Sequence, residues 1–136
     1  MFMAIPLLAV PLLIYNLMAF GVGNDWLAPV FSTQMVSGTP FELSQGDLLV
    51  TTGLALLFLE VLKATRTGAG SIVDHLLSTA VFVAALVEFL LVDFAATSTF
   101  FLLMIIALID VVAGYSITIR AARRDVALDH VGGAPF

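Results

Sequence analysis

Two long apolar runs joined by a short polar turn constrain this chain more than any other feature. They fill the stretch from Ser44 to Phe94, and the turn between them carries Lys63 and Arg66. Each run is long enough to cross a bilayer, for which a helix needs ~20 apolar residues. The stretch therefore predicts a pair of antiparallel membrane helices with a basic turn on one side.

Composition predicts the same class of protein for the whole chain. Of the 136 residues, 61% are hydrophobic and 11% are charged, whereas about 25% of the residues of a soluble domain are charged. The net charge of −5 is not typical of a nucleic-acid-binding protein. The chain has no cysteine, which excludes disulfides, thiolate metal sites and a cysteine nucleophile. We expect an all-α membrane protein that contacts the lipid bilayer and no nucleic acid.

Two further apolar runs predict a fold class of four transmembrane helices in two antiparallel hairpins. The predicted spans are residues 2–22, 45–65, 72–94 and 97–122. Together they form one domain, residues 1–124. Residues 125–136 are expected to be a loosely ordered cytoplasmic tail.

The first predicted span contains two prolines. Pro6 suits a first helical turn, and Pro11 is expected to bend the helix. A cleaved signal peptide is the alternative interpretation of this run. Against it, the run has no basic residues at its start, and the prolines interrupt its apolar core. We expect the run to be a span.

The segment between the first two spans is predicted to lie outside the hydrocarbon core. It has no Lys or Arg and holds Trp26, Phe31 and Phe41 among polar residues, which is typical of a membrane interface. Two partly alternating stretches flank the turn-like sequence Ser37 to Thr39. The segment therefore forms either a short β-hairpin or an irregular interfacial loop.

Polar side chains stand where three of the predicted helices begin. Ser44 and Asp47 have the spacing of a capping box, Ser71 and Asp74 repeat it, and Thr97 precedes the fourth span. Such side chains accept hydrogen bonds from the unpaired amides of the first helical turn, and the acids oppose its positive end. We interpret them as helix caps.

All the basic residues fall on one side of this predicted topology. They are Lys63, Arg66, Arg120, Arg123 and Arg124. Since the opposite loops have none, the positive-inside rule places both termini in the cytoplasm. The expected location is the plasma (inner) membrane, with several passes.

Five polar residues lie at depths where lipid would surround them, and they are the candidate intramembrane contacts or relay sites. Glu60 precedes Lys63 by one helical turn, so the two predict an ion pair. His75 stands at a helix start, where a hydrogen-bonding role is the simpler interpretation. Glu88 and Asp110 lie deepest, where a charge costs about 2.5–3.5 kcal/mol and usually faces other helices. The fifth residue, Asn16, is a candidate partner of Asp110.

No catalytic, cofactor-binding or metal-binding pattern stands out. The chain has no phosphate-binding loop, no H-E-x-x-H and no G-x-S-x-G. His75 alone does not supply the two axial ligands of a haem. We therefore expect a non-catalytic accessory or assembly subunit, without cofactor or metal, that packs against other membrane subunits or itself. The alternative is a small oligomeric transporter or channel that uses Glu88 and Asp110 as proton or cation sites.

Overall fold

The computed structural model describes residues 5–23, 25–66 and 70–133. Within this part of the chain, the helices are α1 (Ala9–Gly21), α2 (Gln45–Ala64), α3 (Gly70–Leu91) and α4 (Ser98–Gly132). Two strands, β1 (Pro29–Gln34) and β2 (Pro40–Ser44), lie between α1 and α2. A short 3-10 turn, Asp93–Ala95, joins α3 to α4.

The prediction of four transmembrane helices is wrong. Two of the described helices are long and apolar enough to cross a membrane, namely α3 over Ile72–Leu91 and α4. α1 has 13 residues and extends only about 20 Å, against a hydrocarbon core of about 30 Å. In α2, Asp47 and Glu60 leave an uncharged stretch between them of only about 18 Å. Apolar composition alone therefore predicted too many membrane-crossing runs.

α1 begins at Ala9, well inside the predicted span of residues 2–22, of which residues 2–4 lie outside the described part. The carbonyl of Pro6 accepts the Ala9 N–H at 3.0 Å and leads into the helix. Pro11 then falls in the first turn, where backbone amides have no intrahelical acceptor. Because a missing N–H costs nothing there, Pro11 fits the helix start and is not the bend that was predicted.

α4 is the central helix of the bundle. It packs along α2 and along α3, and α1 contacts both α2 and α4. α2 and α3, predicted to be neighbouring antiparallel helices, make little direct contact. The buried residues of α4 explain this arrangement, because they extend around a broad arc of roughly 160° of the helix. They are Thr99, Phe100, Leu103, Met104, Ile106, Ala107, Asp110 and Gly114.

α4 also continues past its predicted end at residue 122 as far as Gly132. The described part of the expected loose tail is therefore helical. Alanine, arginine and leucine, which have high helix propensity, occur in this stretch. Gly132 and Gly133 then end the helix, as glycine commonly does.

The segment between α1 and α2 forms the β-hairpin and not the irregular loop. β1 and β2 are antiparallel, and Thr33 pairs with Phe41. Gly38 has φ +84°, which a residue with a side chain rarely adopts. Its N–H donates to the Met35 carbonyl at 2.8 Å and closes the turn. The residues of both strands are exposed or only partly buried.

The hairpin is fixed directly to the start of α2. Ser44 ends β2 and caps α2, since Asp47 N–H donates to Ser44 Oγ at 3.1 Å and Ser44 N–H donates to Asp47 Oδ2 at 3.0 Å. This capping box was predicted and is confirmed. Gly46 N–H donates to the Trp26 carbonyl at 2.9 Å and ties the base of the hairpin to the helix. The side chain of Ser71 lies outside the described part, so the second cap stays a prediction.

Aromatic side chains fill the core where α4 begins. The ring of Tyr15 is fully buried, stacks on Trp26 at a centroid distance of 4.4 Å and meets the edge of Phe100 at 4.9 Å. The Tyr15 hydroxyl donates to the Phe94 carbonyl at 2.7 Å. It also lies 2.7 Å from Oγ1 of Thr97, which caps α4 as predicted. This core joins α1 to the turn between α3 and α4.

Candidate functional site

Two glycines bring α2 close to α4 and so position the polar residues beyond them. A side chain at Gly46 would collide with Thr99 Oγ1, and one at Gly53 would place its Cβ 3.1 Å from Leu103 Cδ2. Gly46, Gly53 and Glu60 follow one another at heptad spacing and are all buried, so they share one face of α2. The close packing therefore carries Glu60 into the space between the helices.

Glu60 fastens the segment ahead of α1 to the end of α2. Only 4% of its surface is exposed, and its Oε2 lies 3.0 Å from Lys63 Nζ, so the predicted ion pair forms. Its Oε1 accepts the backbone N–H of Leu7. Lys63 Nζ in turn donates to the Ile5 carbonyl at 3.3 Å. A carboxylate at this position also opposes the positive end of α1.

Asp110 supplies a second buried carboxyl, from α4, with 6% of its surface exposed. The side chain of Ser78 in α3 lies within hydrogen-bonding reach of the Asp110 carboxyl. Glu60 and Lys63 of α2 and His75 of α3 lie in the surroundings of the Asp110 carboxyl. Asp110 therefore lies near polar groups of both α2 and α3.

His75 ties the start of α3 to the later part of α4. Its Nε2 lies 2.6 Å from Thr118 Oγ1, and a Cβ placed on Gly114 would come within 2.7 Å of its Nδ1. Glycine at position 114 therefore makes room for the imidazole. Tyr115 packs beside the His75 ring at a centroid distance of 5.4 Å, and its hydroxyl lies 3.3 Å from Thr79 Oγ1.

Glu88 occupies a different environment from Asp110. The side-chain amide of Asn16 lies within hydrogen-bonding reach of the Glu88 carboxyl, and Asn16 Nδ2 also donates to the Leu12 carbonyl at 3.1 Å. Oε1 of Glu88 is buried and has no hydrogen-bond partner among the described residues. Asn16 therefore contacts Glu88, and its predicted pairing with Asp110 is wrong. The two deep carboxyls do not share a contact set.

The structure thus brings together three of the five residues singled out from the sequence. We call the resulting group the polar cluster; its members are the buried residues Glu60, His75, Ser78 and Asp110 and the partly buried Lys63. Two carboxyls, an imidazole and an ammonium group can bind and release protons. Their contacts can also fix the relative positions of three helices. Among the described residues, no group of three or more His, Asp or Glu is arranged to hold a metal ion.

Sequence reasoning missed Ser78 and Thr118, which partner Asp110 and His75. Hydroxyl residues inside apolar helices are common interhelical donors, and that signal was present in the sequence. Sequence reasoning also missed that Tyr15 is a core residue. The helical pattern gave no indication of which neighbouring helix each hydroxyl would face.

The chain was also compared with known proteins. No protein family, curated protein or solved structure matches it.

Proposed function

We propose that the chain is an integral membrane protein in which α3 and α4 cross the bilayer. In the most apolar stretches of these two helices, 17% and 39% of the residues are buried inside the protein. A helix that is apolar all round is expected to be enclosed by protein or by lipid. Since protein encloses so little of α3, lipid or another subunit is the fitting cover.

The proposed orientation follows from the basic residues. His75 and Thr118 are in contact at one end of the α3–α4 pair. α2 runs alongside α4, with Gly46 against Thr99 and Gly53 against Leu103, so the later residues of α2 lie towards that same end. Lys63 and Arg66 are thereby grouped with the arginines of α4. The positive-inside rule assigns this end to the cytoplasmic side of the plasma (inner) membrane, with both termini on that side.

We further propose a non-catalytic role as an accessory or assembly subunit of a larger membrane complex. The observation that carries this proposal is the contrast between the inside and the outside of the bundle. The buried polar side chains make their contacts within the chain, as Glu60 does with Lys63 and His75 with Thr118. The outward face of α3 is instead a continuous apolar row.

This row, which we call the outer α3 row, has the character of a helix-packing surface. Its large members are 48% to 67% exposed, and they are Val73, Leu76, Val83, Val87 and Leu90. Ala80 and Ala84 are exposed on the same face, four residues apart. Small residues at this spacing let a second helix approach closely in lipid.

Purification in a mild detergent tests the proposal, together with a substitution in the outer α3 row. The expected result is co-purification with a larger membrane complex in fixed stoichiometry. Ala84→Trp should release the chain from that complex while leaving it folded, because the bulky side chain blocks close approach. Leu102→Trp places the same side chain on an exposed position of α4 and serves as the control. A chain that purifies with no other protein contradicts the proposal.

The alternative, a small oligomeric transporter or channel, draws on one observation. Glu88 keeps a buried oxygen without a partner among the described residues, as an unengaged relay site would. Ion or proton flux through the purified homo-oligomer in vesicles, lost in Glu88→Gln, would support this alternative. The separation of Glu88 from the environment of Asp110 disfavours a relay that joins the two.

A further inference from the structure

The stretch of α4 beyond its apolar part carries three arginines. From Ser98 to Ile119 the helix rises about 33 Å, close to the ~30 Å of a hydrocarbon core. If the helix crosses the bilayer as proposed, Arg120 stands at the boundary between lipid and water. Arg123 and Arg124 follow within the next turn.

Charges are segregated around this part of the helix. At about 100° per residue, Arg120, Arg123 and Arg124 fall within an arc of roughly 100°. Asp125 and Asp129 fall on the opposite side of the helix. We call the first side the arginine face. It is a coherent patch of positive charge and not a mixed surface.

No acid within the described residues neutralises the arginine face. All three arginines are exposed, and none forms an ion pair there, in contrast to Lys63, which pairs with Glu60 at 3.0 Å. Spacing explains this, since no Asp or Glu lies three or four residues from any of them. The three guanidinium groups are therefore left to bind a partner outside the chain.

We propose that the arginine face binds the anionic headgroups of membrane phospholipids. This inference rests on the proposed membrane position of α4. Guanidinium groups form paired hydrogen bonds with phosphate oxygens, and the face stands at the depth of the headgroups. The ligand class is a glycerophospholipid with net negative charge, with phosphatidylglycerol as the probe. An anionic surface repels Asp125 and Asp129 on the opposite side of the helix. The arginine face is therefore the side that is directed towards the lipid headgroups.

Native mass spectrometry of the full chain measures this preference directly. The protein is held in mixed micelles with equal amounts of phosphatidylglycerol and phosphatidylcholine, and the retained lipids are counted. We expect the native chain to retain phosphatidylglycerol preferentially. Each arginine removed should lower that preference roughly fivefold, and added salt should lower it further because it screens exposed charges.

Matched variants locate the binding site. Arg123→Gln should reduce the preference roughly fivefold, whereas Arg66→Gln removes the same charge from the same side of the membrane but outside the arginine face and should reduce it less. The triple variant R120Q/R123Q/R124Q should abolish it. Circular dichroism checks that each variant keeps its helical content, and the single substitutions carry the test if the triple variant misfolds.

Several results would overturn the inference. Equal retention of both lipids, a preference that survives the triple variant, or equal effects of Arg66→Gln and Arg123→Gln would each do so. Displacement of the lipid by millimolar inorganic phosphate would show that the ligand is free phosphate. Alkaline carbonate extraction distinguishes a failure of the lipid-binding inference from a failure of the proposal that the chain spans the membrane. A chain that carbonate releases from vesicles does not span them, whereas one that resists release yet shows no lipid preference refutes only the role of the arginine face.

Discussion

The hydroxyl of Tyr15 in α1 lies 2.7 Å from Oγ1 of Thr97, the residue that caps α4. The hydroxyl has one hydrogen, and it goes to the Phe94 carbonyl at 2.7 Å, so Thr97 is the donor to Tyr15. Thr97 Oγ1 meanwhile accepts the Phe100 N–H at 3.2 Å. One side chain of α1 thereby fixes the point at which the chain turns from α3 into α4.

Tyr15→Phe tests that relationship. The substitution keeps the ring against Trp26 but removes the donor to the Phe94 carbonyl and the acceptor of the Thr97 hydroxyl hydrogen. An unsatisfied buried polar group costs about 1–3 kcal/mol, so the melting temperature in detergent should fall. Tyr115→Phe is the control, because the hydroxyl of Tyr115 makes only a long 3.3 Å contact with Thr79. Equal falls in melting temperature for the two variants would mean that the buried hydrogen bonds of Tyr15 add no more stability than the long contact of Tyr115.

The close approach of α2 to α4 predicts opposite outcomes for two alanine substitutions. Gly46→Ala should destabilise the protein by about 1–3 kcal/mol, because the new methyl group overpacks against Thr99 and the Trp26 carbonyl. Gly21→Ala, in α1, meets open space and should be neutral or stabilising by up to about 1 kcal/mol. Thermal unfolding of both variants checks the pair. A harmless Gly46→Ala would show that the helices are farther apart than described.

Asp110 separates a structural role from a transport role. Asp110→Asn keeps a group that can bond with Ser78, so we expect the variant to fold and assemble normally. Asp110→Leu has no such group and should weaken helix association by roughly 0.6–2 kcal/mol. Size-exclusion chromatography and thermal unfolding measure both effects. The structural interpretation fails if Asp110→Asn assembles well and yet abolishes ion or proton flux in reconstituted vesicles.

The cap of α2 predicts a pH dependence. Hydrogen bonds from the Ser44 hydroxyl and the Ser44 N–H hold the pKa of Asp47 below its ordinary value. Because the folded-state pKa is the lower one, this stabilisation is present above the unfolded pKa of about 4. It is lost as pH falls through the folded pKa. Ser44→Ala removes the larger of the two causes, so its melting temperature should depend less on pH below about pH 4. Parallel melting curves of the native chain and the variant would disprove the link.

The proposed orientation predicts the outcome of a reporter experiment. At the C-terminus, a reporter that works only in the cytoplasm should be active, and one that works only outside the cell should be inactive. The reason is that Arg120 and its neighbours hold that end inside. Replacing the three arginines of α4 with glutamine should weaken this bias, whereas replacing Asp125 and Asp129 with asparagine should not. A reporter active only on the outer side would reverse the assigned topology.

Local patterns in the sequence sufficed for several features of the fold. The S-x-x-D spacing at Ser44 identified the start of α2, and the spacing of Glu60 and Lys63 identified their ion pair. Both depend on contacts within one helical turn. The turn around Gly38 likewise allowed a hairpin, although the sequence left an irregular loop as the alternative. The Glu60 pair also belongs to the candidate site, so part of that site was visible before the fold was known.

Tertiary structure decided which helices touch and therefore which polar groups meet. Apolar periodicity says that a face is buried, but not against which neighbour, so it did not reveal that α4 lies between α2 and α3. Glu60, His75 and Asp110 converge because Gly46 and Gly53 admit α4 to α2, and because Gly114 leaves room for an imidazole from α3. Asn16 reaches Glu88 and not Asp110 for the same kind of reason. Contacts between helices depend on side-chain volumes meeting at a distance in the chain, and no single stretch of sequence contains that information.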